Sequence, residues 1–237
     1  LAIWIVIFGV WAVYLFGKLT LPHDSPLSHI SVGRLFLAIL VSVFTVYLIP
    51  GLWGAPLKII SGFPPPMSYS ESPYGVGGSS TGASGELPEH AHYGPHKIIA
   101  FHDYEQGLAY AKKVNKPVLL DFTGHACANC RKMEENVWSD AEILKILKNE
   151  IVLISLYGDD QRELPKEEQY VSKSGSEVTT IGEKWREYQI ERYNINAQPY
   201  YVVLDADGND ISKPVGYTPD VEEYKAWLKE GISKFKK

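Results

Sequence analysis

The chain has 237 residues, a formal net charge of −5 and only two cysteines, Cys127 and Cys130. Acidity of this size offers no basic surface for a phosphate backbone, which excludes nucleic acid as a partner class. Two cysteines so close together exclude a small secreted scaffold stapled by many bridges. A bridge between them closes too short a loop to add much stability, so its value lies in chemistry.

Residues 1–17 contain no charged group until Lys18. At about 1.5 Å per residue they cover roughly 25 Å, a little less than a bilayer core of about 30 Å. The chain opens in mid-run, without a basic n-region or a small-residue cleavage site, so it reads as a fragment entering with a membrane helix rather than a signal peptide. A second uncharged run, residues 35–53, places Tyr47 and Trp53 where interfacial aromatics sit and ends at Pro50 and Gly51. The alternative for both runs is a pair of buried helices in a soluble core. Lys18 and Arg34 flank the loop between the runs, whereas Lys58 is the one basic residue between Trp53 and Lys97. The positive-inside rule therefore puts that loop in the cytoplasm and the C-terminal part outside it.

Residues 62–96 are rich in Gly, Pro and Ser and read as a flexible tether, with a domain boundary near 96. His90, His92 and His96 in it are either a weak metal site or solvated tether histidines. The expected organisation is two membrane helices over 1–61, the tether, and an α/β domain over 97–237. In that domain a first, short strand is expected at 98–101 and a helix over 103–115. A buried strand follows at 117–123, then a helix from Cys127 to Trp138 and another over 141–150 capped by Ser139 or Asp140. Further on come a strand at 151–157, a polar insertion over 158–180 and a helix at 183–193. Strands at 200–205 and 211–215 form a hairpin, and the last helix covers 219–235.

The chemistry concentrates between Leu120 and Glu134. A strand runs through a short turn into a helix, which puts Cys127 at the helix N-terminus, where free backbone N–H groups and the positive dipole end stabilise a thiolate. Cys127 is then the nucleophile. Cys130, one turn on and facing inward, attacks the mixed disulfide and releases the partner. Cys-x-x-Cys is also half of many zinc sites, but the sequence holds no second Cys-x-x-Cys or His-x-x-x-His pair. Redox exchange, metal binding and two incidental buried cysteines remain the three readings. Asp121 interrupts an apolar strand six residues before Cys127, either as a buried acid relaying a proton for Cys130 or as a solvent-facing strand-end acid. Glu134, one turn beyond Cys130, either returns toward the thiols or stays exposed.

These residues carry a resemblance. Residues 97–237, with Asp121-Phe122 ahead of Cys127-Ala128-Asn129-Cys130-Arg131 and with Gln198-Pro199-Tyr200 before a strand, resemble the thioredoxin superfamily. The succession of membrane helices, tether and domain resembles the C-terminal end of the thiol:disulfide interchange protein DsbD family, in which acids at the places of Asp121 and Glu134 manage protons. The first resemblance implies a thioredoxin-like central mixed sheet flanked by helices, no cofactor beyond the Cys127–Cys130 disulfide, and Pro199 as a cis-proline facing it. The second implies a reductase in the inner membrane with its domain in the periplasm. Electrons would come from a membrane-embedded donor upstream in the same protein and pass to oxidised extracytoplasmic proteins, cytochrome c biogenesis included. The chain departs from the family in having His125-Ala126 where a Trp usually precedes the first cysteine. A disulfide oxidant or isomerase is the other enzyme reading, and a copper or zinc carrier the non-enzymatic one.

Overall fold

The computed structural model describes residues 1–25, 27–53, 57–60, 87–173 and 175–235. The chain divides into an N-terminal and a C-terminal unit, and most of the expected tether, residues 61–86, lies outside the described residues.

The N-terminal unit is a helical hairpin of α1 (Ala2–Leu15) and α2 (Val32–Leu48). Phe8 meets Phe44 edge-to-face at 5.0 Å, while Arg34, at the start of α2, donates from Nε to the carbonyl of Leu15 and from Nη2 to that of Tyr14, both at 2.8 Å. The helices therefore run antiparallel, and a cation neutralises the open carbonyls at the C-terminus of α1. Ser31 caps α2 by accepting the N–H of Arg34. Ala12, Leu15, Ala38 and Val41 form the seam, and the outward faces carry exposed apolar side chains such as Ile3 and Phe36. With the 3-10 turn that continues it, α2 spans Val32–Trp53, 22 residues, long and apolar enough to cross a membrane. The apolar helix α1 has 14 residues, about 21 Å, and among the described residues α2 with its 3-10 turn is the one helix that is long and apolar enough to span.

In the C-terminal unit a five-stranded sheet has the order β1-β2-β4-β3-β7, made of β1 (Ala91–Tyr93), β2 (Ile99–Phe101), β3 (Val118–Thr123), β4 (Val152–Tyr157) and β7 (Tyr200–Leu204). Strands β2, β4 and β3 are parallel; β1 and β7 run antiparallel on the flanks. Every residue of β3 and β4 is buried, the pattern of central strands covered on both faces. Alternate side chains feed two cores. Leu119, Leu153, Tyr201 and Val203 pack under α4 (Ala128–Asn136), α5 (Ala141–Asn149) and α7 (Val221–Phe235). Leu120, Phe122, Ile154 and Val202 pack under α3 (Tyr104–Val114) and α6 (Ile181–Tyr193). Asp140, not Ser139, caps α5, accepting the N–H groups of Glu142 and Ile143.

Two expectations are corrected. The sheet begins at Ala91, inside the stretch read as tether, because Ala91, His92 and Tyr93 pair with Phe101, Ala100 and Ile99; a three-residue edge strand with one buried side chain leaves no apolar signature. The expected strand at 211–215 is reduced to single bridges, Tyr201 to Val215 and Leu204 to Asp210. Ser212 Oγ takes the N–H of Val203 that a strand carbonyl would take, and Pro214 has no N–H to offer. The turn before it forms as expected, with Asp205 Oδ1 accepting the N–H groups of Asp207 and Asn209. The 158–180 insertion contains a small hairpin of β5 (Tyr170–Val171) and β6 (Glu177–Val178).

Candidate active site

Where β3 ends, the chain turns through Gly124, His125 and Ala126 and enters α4 with Cys127 at the N-cap. The sulfurs of Cys127 and Cys130 are bonded at 2.03 Å, and the N–H of Cys130 points at Cys127 Sγ at 3.2 Å. Cys127 is half-buried and Cys130 is 1% exposed. One sulfur is thus partly exposed at a helix N-terminus and the other is covered by the fold.

The turn is fastened from a neighbouring connection. Asp159, two residues past β4, accepts the N–H of His125 on Oδ1 and that of Ala126 on Oδ2, each at 2.8 Å. Gly124 and Gly158 lie against the side-chain amide of Gln198; a Cβ at Gly124 would come within 2.6 Å of Gln198 Oε1, and the amide would have to shift to admit it. Gln198 precedes Pro199 through a cis peptide bond. The register that pairs Phe122 with Tyr200 sets the buried Pro199 beside Thr123, at the end of the strand that delivers the motif.

A buried polar cluster joins α4, the helix that carries Cys130, to β3 and β4. Asp121 on β3 is 2% exposed, and Glu134 and Arg131 on α4 are 6% and 4% exposed. Arg131 Nη2 bridges Glu134 Oε1 at 2.6 Å and Thr123 Oγ1 at 3.3 Å, and Ser155 Oγ donates to Asp121 Oδ2 at 3.0 Å. Asp121 Oδ1 and Arg131 Nε and Nη1 are buried without a hydrogen-bond partner among the described residues. Burial raises Asp121 to about 7 against the pull of Ser155 and Arg131, and raises Glu134 to about 8 against that of Arg131. Both acids therefore lie inside the fold beside the motif, and the solvent-facing readings of Asp121 and Glu134 fall away.

His125, in the place of the usual Trp, stacks its ring on Tyr157 at 4.1 Å. Tyr157 meets His102 edge-on at 5.1 Å, and His102 stacks on His92 at 4.8 Å. Burial lowers His125 and takes His102 to about 4, so His102 is uncharged near neutrality. The three histidines weighed as a weak metal site or as solvated residues do not converge: His92 is in this stack, His96 Nε2 lies 2.7 Å from the carbonyl of Glu134, and His90 lies 3.5 Å from Glu89. Among the described residues no group of three or more metal-ligating side chains forms. The insertion, for which the sequence offers no task, walls a cavity of about 280 Å³ with Arg162 and Leu164, facing His92, His102, Ile181 and Trp185.

Sequence reasoning named Cys127, Cys130, Asp121, Glu134 and Pro199 and missed Arg131, Ser155, Tyr157 and Asp159. Only Arg131 left a signal, as a cation three residues before Glu134 on one helix face.

Residues 104–232 match the thioredoxin-like domain family. Solved structures similar to this chain include a DsbH oxidoreductase, at 19% identity and a TM-score of 0.41, covering 55% of this chain and 82% of that one. A thioredoxin from Thermus thermophilus is also 19% identical, with a TM-score of 0.39 over 54% of this chain and 83% of its own. The reduced C-terminal domain of Neisseria meningitidis DsbD gives 16% identity and a TM-score of 0.34 over 53% and 90%. No curated protein sequence matches the chain significantly.

Proposed function

Given that the chain belongs to the thioredoxin-like domain family, we propose that it is a membrane-anchored protein-disulfide reductase acting on oxidised proteins outside the cytoplasm. The observation that carries this reading is the asymmetric disulfide, with half-buried Cys127 at the N-terminus of α4 and Cys130 buried on the same helix as Arg131 and Glu134. In the reduced form the Cys127 thiolate attacks a partner's disulfide, and one partner sulfur leaves as thiolate. Cys130 gives up its proton to a buried carboxylate, attacks Cys127 Sγ and expels the partner's second sulfur. The partner gains two electrons and the Cys127–Cys130 bond reforms. The redox group is this disulfide itself. Pro199, beside the end of β3, is positioned to border the incoming chain.

The 22-residue apolar stretch Val32–Trp53 supports an anchor, and the basic residues Lys18 and Arg34 support a domain on the far side of the inner membrane. Regeneration by a membrane-embedded donor upstream in the same protein, and delivery to periplasmic partners such as those of cytochrome c biogenesis, rest on the sequence resemblance. Reduction of insulin disulfides by the reduced full chain, lost in Cys127→Ser, tests the exchange. Equilibration with glutathione tests the direction: a potential below that of glutathione is expected, and one well above it would make the protein an oxidant or isomerase.

A further inference from the structure

Arg131 has no task in the exchange as described, yet it is the one cation in the buried cluster. Asp121 and Glu134 face each other's field inside the fold, and with both ionised the cluster would carry a net negative charge that burial opposes strongly. One guanidinium in a 2.6 Å pair with Glu134 offsets one carboxylate and leaves the other to hold a proton. The tyrosines and His125 around the cluster do not alter this count, while the charge of Glu135 adds to the opposition against ionising Glu134. Burial pushes Tyr157 on β4, Tyr201 on β7 and Tyr224 on α7 above the ordinary tyrosine value, and keeps His125 below the ordinary histidine value. Glu135, next to Glu134, is half-buried.

We propose that Arg131 is the positioning residue that holds the cluster near one proton for two carboxylates around neutrality, so that a carboxylate base is available to the Cys130 thiol there. The inference rests on the exchange reading above. When Cys130 resolves the mixed disulfide, its S–H proton passes to the ionised carboxylate. Its sulfur then bonds to Cys127 Sγ, and the bond from Cys127 to the partner breaks with the electron pair leaving on the partner's sulfur. Without Arg131 the two acids would both be protonated near neutrality and Cys130 would lack its base. The two unpartnered donors of the guanidinium, Nε and Nη1, mark a group placed for charge rather than for a complete set of hydrogen bonds.

The test is a stopped-flow reaction of the reduced full chain in detergent with the symmetrical nitrothiobenzoate disulfide, whose coloured thiolate is released first by Cys127 and then by Cys130. Arg131→Met should slow the second release about tenfold or more at pH 7 and move its pH midpoint up by about one unit or more, with the first release changed less than about twofold. Arg131→Lys keeps the charge and should stay within about threefold of the parent. Glu134→Gln leaves Asp121 and Arg131 as a neutral pair and should not raise the midpoint. Should Arg131→Met not fold, the double variant R131M/E134Q, which removes the ion pair as a unit, should show the raised midpoint. A midpoint unmoved in the folded Met or double variant, or moved as far in Arg131→Lys, overturns the proposal. Absence of any first release would instead strike at the exchange reading.

Discussion

Cys127 is half-buried at a helix N-terminus, in a turn whose N–H groups are held by Asp159 and whose neighbouring ring, His125, is kept neutral by burial. Cys130, three residues on, is 1% exposed, on a helix whose Arg131 and Glu134 share a buried cluster with Asp121; three polar atoms of that cluster have no hydrogen-bond partner among the described residues. On the first side the fixed contacts are backbone N–H groups and a half-buried carboxylate, Asp159; on the second the charges sit on buried titratable groups. The difference teaches that the fold handles the two half-reactions by separate means. On the proposed reading, thiolate formation at Cys127 is set by helix geometry, and deprotonation of Cys130 by a buried charge balance.

The comparison breaks most sharply if each sulfur is removed in turn. Cys127→Ser should abolish insulin reduction, about a thousandfold or more, while Cys130→Ala should form a stable mixed disulfide through Cys127, seen as a mass adduct that a thiol removes. If Cys130→Ala turned over many times, the division of labour would be wrong. A smaller effect sharpens the buried side. Asp121 and Glu134 are raised by burial from 3.8 and 4.5 to about 7 and about 8, so the folded protein holds protons that the unfolded chain releases. Stability should accordingly fall as pH climbs from about 4 to about 8, then level off. Asp121→Asn should flatten that slope and stabilise the oxidised protein at pH 8 by about 1–2 kcal/mol, with no gain at pH 4, as thermal unfolding at the two pH values will report.

On the exposed side, Asp159→Ala removes two hydrogen bonds and should cost about 1–2 kcal/mol, while slowing alkylation of the reduced Cys127 by misplacing the turn. The smallest change is expected for His125→Phe. The stacked ring on Tyr157 is kept, and because the imidazole is held below its ordinary value, alkylation of Cys127 at pH 7–8 should stay within about twofold of the parent. A larger loss would give the imidazole a chemical role that its burial argues against.

Much of this was legible in the residues. The apolar runs of β3 and β4 read as strands, Asp121 stood out because an acid that interrupts such a run needs a reason, and the cysteine spacing placed Cys127 at a helix start. What stayed hidden depends on contacts far apart in sequence or on atoms without pattern. Asp159 reaches residues more than thirty positions away, and His125 meets Tyr157 across the same gap. Arg131, after a Cys-x-x-Cys, reads as a surface cation until the fold buries it. The strand at Ala91 is too short for periodicity, and the pairing expected at 211–215 failed because Ser212 and Pro214 replaced backbone partners with a side chain and with nothing.

The grip of Asp159 on the motif turn has a mechanical side. The carboxylate is the first side chain after Gly158, and its neighbour Asp160 holds Arg162 by a forked pair and accepts the N–H of Gly182 at the start of α6. The stretch from β4 to α6 is therefore riveted at one end to the nucleophile's turn and at the other to a helix. Its hairpin of β5 and β6 hangs between two fixed points like a handle. A load applied to that handle reaches the reactive sulfur's turn through two contacts of 2.8 Å, so lengthening or shortening it is a change to the turn and not to a decoration.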